Sequence, residues 1–143
     1  GSGTTINDHS GSGEPLNLTI HDPGAVRWNS EGSITITDST IISSASDANV
    51  PSEGTALKIF DAITASDEIT LEAWVAPSSY IDNAGPARVM TMSVDSSNRN
   101  FTLGQSEDAW QARFRTTTMG NNGYNRRRLT DMDTVELDVQ HVV

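Results

Sequence analysis

Two segments of this chain carry the residue types that hold a sugar. Tyr80 is followed by Asp82 and Asn83, and Asn122 is followed by Tyr124 and Arg126. An aromatic ring covers the apolar face of a pyranose, while carboxylates, amides and guanidinium groups bond its hydroxyls. A second chemistry is calcium, a hard cation that takes oxygen ligands from acidic loops. Asp8 and Asp22 near the start, and Asp95 and Asn98 within Val94-Asp95-Ser96-Ser97-Asn98, are the candidate ligands. None of them lies in an EF-hand loop, and an Asp or Asn in a turn also bonds its own backbone. His9, His21 and His141 are scattered, with no His-x-His or His-x-x-x-His spacing, so zinc and a catalytic triad find no pattern. Arg126-Arg127-Arg128 is the basic cluster of an acidic chain. Three adjacent arginines are too few for a nucleic-acid face and suit a solvated loop, or one that meets an acidic partner or an anionic glycan.

The elements that position these residues follow from composition and alternation. The chain has 143 residues, which is room for one domain. Its 9 basic and 19 acidic side chains give a formal charge of −10, which argues against binding phosphate backbones. With no cysteine, disulfides, a thiolate nucleophile and Cys-ligated zinc are excluded. No stretch approaches the roughly 20 apolar residues of a membrane-spanning helix. Ser and Thr are abundant and Lys58 is the single lysine, a bias toward strands and turns. Leu16, Leu18 and Ile20 alternate, as do Ile34 and Ile36, each set reading as a short half-buried strand. From Thr55 to Ala65, Leu57, Phe60 and Ile63 recur at helical spacing, which predicts a short helix. Ile69-Thr70-Leu71-Glu72-Ala73-Trp74-Val75 reads as a strand closed by Pro77 and covered on both faces. Arg88–Val94, Asn100–Gly104, Ala109–Thr118 and Thr134–Val143 follow as strands. The segments Ser43–Gly54 and Met119–Asp133 read as loops. Trp28, Trp74 and Trp110, all in strand-like settings, are assigned to the core. The fold class is all-β, an antiparallel β-sandwich with one short helix before the Ile69 strand.

The order of these pieces is also informative. Asp8-His9-Ser10-Gly11-Ser12-Gly13 and the Leu16 strand precede Ile69–Val75. Gly85-Pro86-Ala87-Arg88-Val89-Met90, Asn98–Gln105, Arg113-Phe114-Arg115-Thr116-Thr117 and His141-Val142-Val143 follow it. Together they resemble the laminin-G-like jelly rolls of the concanavalin A-like lectin/glucanase superfamily. The resemblance implies a jelly roll of which residues 1–143 are the front portion, incomplete at both ends or completed by another chain. It implies a secreted, non-enzymatic binding or adhesion module for a glycan or a cell-surface protein, with calcium as a cofactor of the kind such domains often carry. Glucanases of the superfamily place three carboxylates at alternate strand positions. Here Glu68, Thr70 and Glu72 stand at that spacing with Thr in the middle, which argues against a glycoside hydrolase. A structural subunit of a larger extracellular complex is the alternative expectation.

Overall fold

The computed structural model describes residues 2–44, 56–80, 87–127 and 135–143, with 124–127 described as backbone. The chain divides into two compact units, Gly1–Asp67 and Glu68–Val143.

The first unit contains the strands Thr5–Ile6 (β1), Leu18–Ile20 (β2), Val26–Trp28 (β3), Ile34–Ile36 (β4) and Ile42–Ser43 (β5). β1, β2 and β5 form one antiparallel sheet in that order, and β3 pairs with β4 in another. Gly, Asp, Asn and Ser interrupt the apolar alternation every few residues, so among the described residues no strand of this unit exceeds three residues. The 3₁₀ turn Pro23–Ala25 begins on a proline whose φ is already set, and the Asp22 carboxylate accepts the Gly24 N–H at 3.0 Å. Ile20 and Ala25 are buried.

The expected helix forms as Leu57–Ser66 (α1). It ends at Asp67, whose left-handed φ of 57° lets its N–H bond the Ile63 carbonyl at 2.8 Å. Of the predicted apolar face, Ile63 is half-buried, but Leu57 and Phe60 are exposed. The helix turns Lys58, Ile59 and Ile63 inward instead, because Lys58 reaches the loop around Asp8.

The second unit is built on the strands Ala73–Val75 (β6), Ala87–Ser93 (β7), Arg99–Ser106 (β8), Ala109–Phe114 (β9), Tyr124–Arg127 (β10) and Gln140–Val142 (β11). β10, β9, β8 and β7 form a four-stranded antiparallel sheet in that order, and β11 pairs with β6. Glu107 and Asp108 close the hairpin between β8 and β9, with Glu107 at a φ of 58°, as a two-residue hairpin requires. Leu103, Trp110, Val135 and Val142 are the buried centre of this unit, with Leu71, Ala73, Val75 and Met90 packed against them. A side chain such as Leu103, once fully buried, contributes about 1.5–3 kcal/mol.

The chain is therefore all-β and antiparallel, with one short α-helix among the described residues, ahead of Ile69, as its composition and alternation predict. Several details differ. The expected strand Ile69–Val75 forms only over Ala73–Val75, and that over Thr134–Val143 only over Gln140–Val142 among its described residues. The two pair with each other, Gln140–Val142 opposite Ala73–Val75. The expected loop Met119–Asp133 contains the strand β10, which places Tyr124 and Arg126 at ladder positions opposite Phe114 and Ala112. Gly123 sets the entry to that strand: its φ is 72°, and a Cβ there would lie 2.9 Å from the Phe114 carbonyl oxygen. Of the three tryptophans, Trp110 is fully buried, Trp28 is half-buried with its indole N–H on the Gly3 carbonyl at 2.9 Å, and Trp74 is exposed.

Candidate functional site

Along 71–75, side chains alternate between two faces. Leu71, Ala73 and Val75 pack toward the core, leaving Glu72 and Trp74 on the outer face. β11 runs antiparallel beside it, with Val142 opposite Ala73 on the inner side and His141 opposite Trp74 on the outer side. The alternation and the register thus bring Glu72, Trp74 and His141 onto one surface.

There the Trp74 and His141 rings stack, with centroids 4.3 Å apart and planes 17° from parallel. The imidazole Nε2 donates to Glu72 Oε1 at 2.6 Å, since a carboxylate can only accept. Trp74 remains 67 % exposed although His141 covers one ring face. The result is an indole held in a fixed plane, with a carboxylate and an imidazole beside it. The sequence assigns Trp74 to the core because it lies in an apolar run. The structure corrects this: the inner face of β6 is taken by its two neighbours, and period-2 geometry turns the indole to solvent. The signal for this site in the sequence was the outward pair Glu72 and Trp74; His141 is brought in only by strand pairing.

The other candidate residues fall elsewhere. Tyr80 is exposed, just beyond Ser79, whose carbonyl accepts the Gln105 side-chain amide at 3.1 Å. Asn122 accepts from Arg113 Nη1 at 3.3 Å. Asp82, Asn83 and Arg128 lie outside the described residues, as do the side chains of Tyr124, Arg126 and Arg127. The candidate calcium ligands are engaged locally. Asp8 bonds the Lys58 ammonium and accepts the Ser10 and Leu16 N–H groups at 2.8 Å each. Lys58 also donates to Ser10 Oγ at 3.1 Å and the Ser12 carbonyl at 2.9 Å. The ammonium first, then the Leu16 and Ser10 N–H groups, hold the Asp8 carboxyl well below the usual carboxylate range. A divalent cation at Asp8 would have to displace Lys58, so this loop does not fit calcium. Asp22 caps the 3₁₀ turn. Asp95 accepts the N–H groups of Ser97 at 2.6 Å and Asn98 at 2.7 Å, while Asn98 turns its amide nitrogen, a donor, to Asp95 at 2.8 Å. These bonds, led by the Asn98 amide, lower the Asp95 pKa. Among the described residues no three His, Asp or Glu converge as a metal site.

Glu68 and Glu72, the carboxylates at alternate spacing, both precede β6, which begins at Ala73, and Glu72 is bonded to His141. His21 bonds the Ser43 hydroxyl at 2.9 Å. The fold and this surface define an all-β chain with an exposed aromatic, imidazole and carboxylate face. Comparison with protein-family models, curated proteins and solved structures finds no match to the chain.

Proposed function

We propose that this chain is a non-enzymatic carbohydrate-binding module whose ligand lies on the Trp74 face. The observation that carries the reading is the indole itself: two-thirds exposed, fixed in plane by His141, and flanked by a carboxylate that can accept from sugar hydroxyls. Leaving an aromatic ring of this size in water forgoes its burial, whereas a pyranose face restores it. The resemblance to laminin-G-like jelly rolls, carried by Ile69–Val75 and the segments around it, supports the same reading and an extracellular setting. Asp8 is held by Lys58 and Asp95 by its own turn, so the reading calls on calcium at neither residue.

A glycan array probed with the full chain tests this. Wild type retains a sugar ligand with and without chelator, and Trp74→Ala loses it by about tenfold or more while remaining folded. Equal binding by wild type and Trp74→Ala, or no sugar ligand at all, contradicts the reading.

A second reading, a subunit of a larger assembly, is favoured by one observation. Leu137, Val139 and Val143 are all more than half exposed around β11. Apolar side chains gathered beside a short strand suit a protein partner. Mass measurement on the purified chain decides it: a stable monomer at high concentration counts against self-assembly.

A further inference from the structure

The three side chains of the Trp74 face are joined by contact and open to solvent. His141 stacks on the indole with centroids 4.3 Å apart, and its Nε2 donates to Glu72 Oε1 at 2.6 Å. The Glu72 and His141 side chains are 48 % and 46 % exposed and Trp74 is 67 % exposed, so a ligand reaches each of them directly. What they present is mainly electron-rich. Glu72 can only accept, and His141 takes one of its oxygens, leaving Oε2 without a partner among the described residues. Because Nε2 carries the proton that Glu72 accepts, the uncharged imidazole leaves Nδ1 as a bare acceptor. The indole adds the negative face of its quadrupole, which attracts a cation held within about 6 Å of the ring. Glu72 and Trp74 lie two residues apart on one extended face, a spacing of about 7 Å along the chain, so a cation over the indole also comes within reach of the carboxylate. His141 already makes this double contact from within the protein: a ring seated on the indole whose N–H meets the carboxylate. The chain around the face has the same sign, with a formal charge of −10. An acidic sugar would set like charge against Glu72, and a neutral one would leave that charge unmatched.

We propose that the Trp74 face selects sugars that carry an amine. The apolar side of the pyranose lies on the free part of the indole, and the ammonium donates to Glu72 Oε2 while facing the π-cloud. Glu72 is then the specificity-determining residue, and His141 holds the carboxylate in place through its other oxygen. The inference rests on the sugar reading of this face and adds the class of sugar.

The test titrates the full chain at neutral pH with the methyl glycosides of glucose, galactose and mannose. Each is set beside two analogues, one with an amine and one with a carboxylate in place of the primary hydroxyl, and the Trp74 indole N–H resonance reports binding. For at least one of these sugars the amine analogue binds about fivefold or more tighter than its parent, and the carboxylate analogue binds more weakly than the parent. Added sodium chloride narrows the gap, because the charges are exposed. Glu72→Gln, whose amide oxygen still accepts from His141, cuts the amine preference by about threefold. Glu31→Gln, which removes one charge from an exposed turn of the first unit, leaves the preference in place. Methylammonium, a cation without the ring, shifts the resonance only at far higher concentration. Amine analogues no tighter than their parents, or carboxylate analogues that are tighter, overturn the inference and leave the sugar reading standing. An equal loss of preference in Glu72→Gln and Glu31→Gln overturns it too, since that is the general pull of an acidic chain on cations. No binding of any amine analogue likewise overturns it, while the glycan array decides the sugar reading by itself. Methylammonium binding as tightly as the amine sugars overturns both, because the ring then contributes nothing.

Discussion

Asp8 shows how one side chain can organise a loop. Its carboxylate gathers the N–H groups of Ser10 and Leu16, and the single lysine of the chain closes over it from α1. Because the folded pKa of Asp8 lies below its ordinary value of 3.8, its contribution to stability is complete above that value and disappears as the pH falls through the lowered one. The stability difference between wild type and Asp8→Asn is therefore constant at neutral pH and shrinks only below about pH 3.8. Denaturant unfolding at a series of acidic pH values measures it, and a difference that fades already between pH 7 and pH 5 contradicts the assignment. At the Trp74 face the expectation has the opposite character. His141→Ala leaves the indole exposed but unsupported, so sugar affinity falls while stability changes by only about 0.5–1.5 kcal/mol, the worth of one aromatic pair.

At the scale of elements, termini and turns decide more than propensity does. α1 has no side-chain cap at its start and ends on a non-glycine residue in the left-handed region. Asp67→Gly removes that strain and raises stability by about 0.5–1 kcal/mol. Gly123→Ala does the reverse, because the new Cβ meets the Phe114 backbone; a loss of more than about 1 kcal/mol is expected in the same unfolding assay. The elements also show what the sequence made legible. Leu18 and Ile20, Ile34 and Ile36, and the β9 run from Trp110 through Phe114 announce their strands by alternation. Leu57 and Ile63 announce the helix. β10 escapes because Tyr124-Asn125-Arg126-Arg127 has no apolar alternation; it is a strand by virtue of pairing with β9, and Gly123 fixes its entry. Ile69–Glu72 has strand composition, yet the ladder with β11 covers Ala73–Val75. The candidate site was half legible for the same reason. Glu72 and Trp74 share a face by simple counting, whereas His141 joins them through a pairing partner 67 residues away in sequence from Trp74.

For the molecule as a whole, the second unit rests on a small apolar centre. Trp110 is at its middle, fully buried, with its indole N–H on the Gln140 side-chain oxygen at 3.2 Å. Trp110→Ala removes that volume and leaves the Gln140 contact unmade, at a cost of about 3–5 kcal/mol, readable as a lowered denaturant midpoint. Trp74→Ala, at the exposed end of the scale, leaves the midpoint nearly unchanged. Tryptophan burial thus separates the residue that keeps the unit folded from the one that the proposed ligand would meet. The three tryptophans of the chain also give the most direct test, since each contributes its own indole N–H resonance. On titration with a sugar ligand selected from the array, the account predicts a saturable shift of the Trp74 indole signal and of the His141 ring, with the Trp110 signal unmoved. A bound sugar that leaves Trp74 and His141 unshifted contradicts it.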